Sequence, residues 1–229
     1  MEHSDTKLTL IEAAGELFAA HGFDGTSVRA ICERAGANVA AINYHFGSKE
    51  NLHREVLLHV VRHCKEGEVT EYLDRAESCT DRAGFAELLT DLVRARFQRY
   101  FSPDEPPWHW QLMMRSLSEP SQALEEVVRE FFIPEHEALK ALVMRARPDL
   151  GEEEAGFFAF SVTGEIVFYS FARIPMLMLL GKEEYDEPFV EAASGHVASV
   201  LTRALGLAGD FAPAAPSQMD LFGGCQKEG

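Results

Sequence analysis

Residues 26–52, TSVRAICERAGANVAAINYHFGSKENL, determine how the rest of the chain is read. Two short helical patterns meet at a small-residue turn, Ala35-Gly36-Ala37. An aromatic hinge, Tyr44-His45-Phe46, then leads into a third pattern. Thr26 and Asn38 are natural N-caps, for one helix burying Val28 and Ile31 and a second burying Ile42. Gly47-Ser48 ends the unit, and Ser48 caps a long helix with Leu52, Val56 and Val60 inward. Upstream, Leu8, Ile11, Ala14, Leu17 and Phe18 recur at helical spacing, and that pattern stops near Gly22. This is the layout of a helix-turn-helix, whose second helix lies in the DNA major groove.

Groove reading needs small residues for close approach and donors at the edges. The helix after Asn38 offers Val39, Ala40 and Ala41 for approach, with Asn38 and Asn43 able to bond base edges or phosphates. Tyr44 and His45 can reach backbone phosphates, and Lys49 adds positive charge near the same strand. Thr26, Ser27 and Arg29 can contact the other side of the groove. Phe46 reads as core, and Ala35 and Gly36 as turn chemistry.

The net charge of -16 looks wrong for a DNA binder, but it is unevenly distributed. Residues 1–65 carry 7 Lys and Arg against 8 Asp and Glu, with six of the nine histidines; the remainder carries 14 against 29. A near-neutral head can grip phosphates if its basic groups share one face, with salt dependence set by that local geometry. Apolar content is 46% of 229 residues, with no uninterrupted run approaching the roughly 18 residues of a membrane span. The polar start MEHSDTK does not read as a signal peptide. Cys32, Cys64, Cys79 and Cys225 are scattered without a CxxC, which suits reduced thiols in a cytoplasmic protein.

Helical patterns continue at about 67–77, 83–101, 109–118, 121–147, 152–180 and 186–206. The loop at 102–107 separates two of them, and Pro134 and Pro175 should kink or break the segments that hold them. The fold class is all-α. The expected organisation is a DNA-binding head at 1–50, a helical effector-binding and dimerisation body at 51–207, and a mobile tail at 208–229.

The stretch LIEAAGELFAAHGFDGTSVRAICERAGANVAAINYHFGSKENL within residues 8–60 resembles the DNA-binding domain of TetR-family transcriptional regulators. The match rests on HGF-x-GTS, I-x-x-x-AG and YHF-x-SKE-x-L. The resemblance implies a homodimer that places the recognition helix of each subunit in successive major grooves of a palindromic double-stranded operator. The family's DNA-contacting places fall on Thr26, Ser27, Arg29, Asn38, Val39, Ala41, Asn43, Tyr44, His45 and Lys49; Asn43 stands where many members have tyrosine. The AAINYHFGSKENL wording is similar to one subgroup with a later Pro-Ser and an FFIPEH-like stretch, here Pro120-Ser121 and Phe131 to His136.

The resemblance also implies a small-molecule effector site in the body. Aromatic and Met surfaces suit an apolar or aromatic ligand. The candidates are Phe97, Tyr100, Phe101, Trp108, Trp110, Met113, Met114, Phe131 and Phe132, with His109, Gln111, Arg115 and His136 to orient polar atoms. Trp108 and Trp110 face different sides of a helix, so one at most should line a pocket. Residues 157–180 are apolar nearly all round, which requires burial on more than one side. Ser161, Gly164, Ser170 and Ala172 permit close packing there. With Phe189, Val190, Ala193, Val197, Val200 and Leu201 on a helix at 189–205, they suggest a four-helix dimer interface.

His59 and His63 are spaced i,i+4 beside Cys64, compatible with metal ligation, but no third ligand has obvious spacing. A solvated helix face is the simpler reading, and no metal or cofactor is expected. Glu152-Glu153-Glu154 suits a helix N-terminus. No catalytic constellation is present. The expectation is therefore a non-enzymatic, cytoplasmic, ligand-responsive repressor. The rivals are a relative controlled by a protein partner or acting without ligand, and an all-α enzyme using the head for oligomerisation.

Overall fold

A computed structural model describes residues 2–64, 69–102, 105–118 and 121–207. The expected tail at 208–229 lies outside them, as do Pro103, Asp104, Glu119 and Pro120. Among the described residues there are helices and no strands, in the order α1 (Glu2–Gly25), α2 (Val28–Ala35), α3 (Val39–His45), α4 (Lys49–Cys64), α5 (Val69–Ala76), α6 (Arg82–Tyr100), α7 (Pro107–Leu117) and α8 (Gln122–Val127). A π-helical turn, Val128–Phe132, follows, then α9 (Ile133–Ala146), α10 (Glu152–Phe171), α11 (Arg173–Leu180) and α12 (Glu187–Ala204).

The chain packs as two units, residues 1–66 with 104–134, and residues 67–103 with 135–229. This division differs from a boundary at residue 50, because α4, α7 and α8 share the head's core. In the first unit, Leu10, Ala14, Phe18, Ile31, Ile42, Leu52, Val56 and Leu112 are buried together. Gly22, at φ 75°, interrupts α1, close to where the apolar pattern stops. Gly15 allows α7 to approach α1: a Cβ there would lie 2.2 Å from Cζ3 of Trp108.

The second unit buries Leu88, Leu92, Phe97, Leu139, Val162, Ile166, Val197 and Leu201, with α6 against α12. Arg96 donates to Glu135 at 2.7 Å in a mostly buried pair. Tyr185 stacks on Phe189 and donates its hydroxyl to the Tyr169 carbonyl at 3.0 Å.

The prolines act differently from each other. The chain stays helical through Pro134, with the π-helical turn immediately before it. A wider turn accommodates the missing donor and relieves the ring's clash with the preceding turn. Pro175 lies in the first turn of α11, where a missing N–H leaves nothing unsatisfied; α10 and α11 meet at 66°. No single described helix is long and apolar enough to cross a membrane, although the bent α10–α11 pair reaches that composition.

On α10, Ala155, Ala159, Val162, Ile166 and Ser170 face the unit's own core, while Phe157, Phe160, Phe168 and Phe171 are exposed. Ile174, Met178 and Leu179 extend that apolar surface along α11, each more than 70% exposed. Ser161 and Gly164 lie on the exposed side; Ser170 and Ala172 are buried. The expectation for α12 needs correcting. Phe189, Val190, Ala193, Val197 and Leu201 are buried in their own unit, because the apolar stripe of α12 covers α6. Its outer side carries Ala192, His196, Val200 and Ala204.

Candidate nucleic-acid interface

The turn between α2 and α3 is closed by backbone chemistry. Gly36 adopts φ 64° and ψ 25°, a left-handed conformation that glycine takes without a Cβ penalty. Its N–H reaches the Glu33 carbonyl and the Ala37 N–H donates to Cys32 at 2.9 Å, a Schellman arrangement that satisfies the last carbonyls of α2. Asn38 then caps α3, its Oδ1 accepting from Ala41 N at 3.1 Å. One lone pair of the amide oxygen is thereby used, and its second lone pair and the NH2 group are what Asn38 can offer DNA. Ser48 caps α4 by accepting from Asn51 N at 3.2 Å, and Asn51 donates to the Phe46 carbonyl at 3.0 Å.

Ile42, 1% exposed, anchors α3 in the core. That burial turns Val39, Ala40, Asn43 and Tyr44 outward, with Tyr44 73% exposed. The rings of Tyr44 and His45 meet edge to face at 5.0 Å. Ala41 and His45 are half-buried at the margin. Across the turn, Ser27 and Arg29 are exposed, and Arg29 pairs with Glu33 at 3.0 Å. The Lys49 ammonium sits 4.1 Å over the Phe23 ring. A cation–π contact of this kind holds the charge at the edge of the unit.

Thr26 does not belong to this surface. It is 3% exposed, and its hydroxyl donates to the carbonyls of Gly22 at 2.8 Å and Leu17 at 3.1 Å. Ser27, one residue later, is the true cap of α2, accepting from Ala30 N at 3.1 Å. The break in α1 at Gly22 exposes a carbonyl that needs a donor, and Thr26 supplies it. The other nine residues expected at the interface lie on α3 or beside it.

Beneath the interface, His53 packs against Phe18 at 4.9 Å and Phe23 at 5.1 Å. Burial, and secondarily the Lys49 charge, lower its pKa to about 4. The imidazole is neutral at physiological pH and acts as part of the core.

This geometry agrees with two family models. One, for bacterial regulatory proteins of the tetR family, matches residues 10–56. The other, for the C-terminal domain of the HTH-type transcriptional dual regulator CecR, matches residues 85–206, more than half the chain. The chain belongs to the TetR family of transcriptional regulators. CecR of Shigella flexneri is 26% identical over 191 residues, covering 81% of this chain and 84% of that protein. RaaS of Mycobacterium tuberculosis, a regulatory protein, is 54% identical over 43 residues, 19% of this chain and 20% of that one. Two solved structures share the fold. AibR in complex with isovaleryl coenzyme A and operator DNA has a TM-score of 0.61 at 14% identity, covering 86% of this chain and 98% of that one. PfmR of Thermus thermophilus has a TM-score of 0.57 at 17% identity, covering 85% and 94%. These TetR-family relatives are regulators and not enzymes, and this chain is a transcriptional regulator.

The residues expected around an effector fall into two sets. Phe97, Tyr100 and His136 belong to the second unit; Trp108, Trp110, Met113, Met114, Phe131 and Phe132 belong to the first. Phe97, 1% exposed, contacts Phe101 and Tyr169 in its own core. His136 lies 4.2 Å from the Phe160 ring. Trp108 covers Gly15, and Phe131 is buried beside Phe132. Phe97, Trp108 and Phe131 are packing residues, because aromatic rings at helical spacing fill each unit's own interior. A void in the second unit, lined by Phe85, Leu89, Leu139, Val162, Leu205 and neighbours, measures about 10 Å³, room for at most one water. It involves none of the expected residues.

A second cluster was illegible without the fold. His63 Nε2 lies 3.3 Å from one Glu105 oxygen, and His109 Nδ1 lies 2.6 Å from the other. The His59 ring stands 6.0 Å from that of His109. Burial holds His109 and His59 below the ordinary imidazole pKa; for His109 the Glu105 hydrogen bond opposes the shift.

Proposed function

We propose that the chain is a homodimeric repressor that reads a palindromic operator with α3 and is released by a small apolar or aromatic effector. The observation carrying this reading is the two-sidedness of α3. Ile42 is locked in the core while Val39, Ala40, Asn43 and Tyr44 form one exposed, uncharged face. A short helix with small residues at its start and amides nearby suits close approach to base edges.

The dimer reading draws support from the exposed phenylalanines of α10 and the exposed apolar residues of α11, since a cluster of exposed large apolar side chains marks an interaction surface. The outer side of α12, with Ala192, His196, Val200 and Ala204, would complete a four-helix contact. Two-fold pairing would set the recognition helices about one or more duplex turns apart, each turn about 34 Å. AibR, with the same fold, accommodates both a coenzyme A thioester and operator DNA, which supports an effector-responsive reading here. Cytoplasmic placement follows from an operator as target, and no membrane partner is proposed.

The test is a salt titration of binding to DNA upstream of the chain's own gene, with a scrambled duplex as control. Nanomolar, sequence-dependent binding whose logarithm falls linearly with the logarithm of salt is expected. Equal micromolar affinity for both duplexes would refute operator reading.

A further inference from the structure

We infer that His63, Glu105 and His109, with His59 alongside as a fourth donor, form a binding site for one divalent transition metal of the Zn(II) class. All four residues lie in the first packed unit, and the inference stands independently of what the α3 surface reads. Two i,i+4 pairs generate the site. His59 and His63 project from the last two turns of α4; Glu105 and His109 span the entry into α7. His59 and His63, four apart on α4, share a face. Glu105 stands two residues before α7 and meets His109 at 2.6 Å, and packing of α7 beside α4 sets the pairs against each other.

One ligating atom from each of His63, Glu105 and His109 lies within 4.8 Å of the others. A tetrahedral ion with bonds of about 2.0–2.1 Å requires ligand atoms about 3.3 Å apart. The His63 to Glu105 separation is already 3.3 Å, and the other separations among the three lie within 4.8 Å. Two or three imidazoles with one carboxylate form a borderline donor set, matched to Zn(II), Co(II) or Ni(II) and poorly matched to Ca(II) or Mg(II). Burial is graded usefully: the side chains of His109 and Glu105 are 5% and 17% exposed, whereas that of His63 is 47% exposed. The inner ligands are held by packing, and His63 stands at the solvent side where an ion would enter. Bound metal would tie the end of α4 to the start of α7, and with it the helix that closes the head.

The test uses the untagged full chain, titrated with zinc against a chromophoric chelator and separately with cobalt, read by visible absorption. One equivalent should bind, and cobalt should give the ligand-field bands of a low-coordinate site without a thiolate charge-transfer band. His63→Ala, at an exposed position, should stay folded by circular dichroism and weaken binding at least about tenfold, since even residues that only support metal ligands cost about 10–100-fold. Glu105→Gln should do the same, and both should abolish a zinc-dependent rise in Tm. No stoichiometric binding to the wild-type chain, binding unchanged in both variants, or a thiolate band would each overturn the assignment.

Discussion

Gly15→Ala tests the packing of the head against α7. In an exposed helix interior this substitution stabilises by about 1 kcal/mol, because alanine loses less backbone entropy. Here the added Cβ would lie 2.2, 2.4 and 2.6 Å from three atoms of the Trp108 ring. Carbon atoms settle at about 3.5–4.0 Å, so the ring must retreat by more than an ångström. The indole is rigid and its edge meets His109 with ring centroids 4.2 Å apart, which prevents a simple rotation away. Overpacking of this kind costs about 1–3 kcal/mol. The net expectation is a loss of about 1 kcal/mol, or about 2–4 °C in Tm for a chain of this size. The decisive comparison is in a Trp108→Ala background, where the obstruction is gone and only the helix preference remains. Gly15→Ala should then raise Tm relative to Trp108→Ala alone. Thermal unfolding of the four chains followed by circular dichroism closes the cycle. A rise in Tm in the wild-type background, or equal effects in both, would refute the proposed contact.

The interior role of Thr26 is checked by Thr26→Val, which keeps shape but leaves the Gly22 carbonyl without its donor; a loss of about 1–3 kcal/mol in urea unfolding with unchanged DNA affinity is expected. For His53, the folded pKa of about 4 lies below the ordinary imidazole value of 6.5. The unfolded chain therefore takes up a proton first as pH falls. Stability from this group is complete above about pH 6.5 and is lost toward pH 4. Because the ring is only partly buried, the loss should reach about 1–2 kcal/mol after allowing for solvent screening. His53→Phe should flatten the urea midpoint between those pH values, and an identical profile would count against it. At the interface, Tyr44→Ala and Lys49→Ala should weaken binding to all duplexes alike, whereas replacing Asn43 should change base preference in a selection from random sequence.

The all-α class, most helix limits and the caps at Asn38 and Ser48 were legible, because they depend on local spacing and on side chains bonding three residues onward. What failed depended on distant neighbours. Thr26 and Ser27 both carry hydroxyls at a plausible cap, and only the break at Gly22 decides which one turns inward. Pro134 reads as a break in any helical pattern, yet the π-helical turn before it keeps the chain helical. The aromatic residues from 97 to 132 look like one group in the sequence but supply two separate interiors. His59 and His63 had no visible third partner because Glu105 and His109 lie more than forty positions away. Phe189, Val190 and Val197 had the right periodicity for an interface, and the same periodicity serves the contact with α6.

The acidity of the chain finds its resolution in local pairing. Within the head, Glu33 is paired with Arg29, Glu16 with Arg34, and Glu55 with both Lys7 and Arg54. The α3 segment, Val39 to His45, contains no carboxylate. On the proposed reading an approaching phosphate would meet an uncharged helix face flanked by Arg29 and Lys49, and the surplus of negative charge lies beyond residue 65. Arg29 is exposed, and an exposed i,i+4 pair contributes only about 0.3–0.5 kcal/mol. Exchanging Glu33 for a phosphate oxygen is correspondingly cheap for its guanidinium. On that reading few basic groups are needed, because van der Waals approach by Val39 and Ala40 and the amides of Asn38 and Asn43 would supply contacts that do not depend on charge. The expected consequence is a modest salt slope, set by the small number of phosphates these side chains can reach, with discrimination arising mainly at the bases.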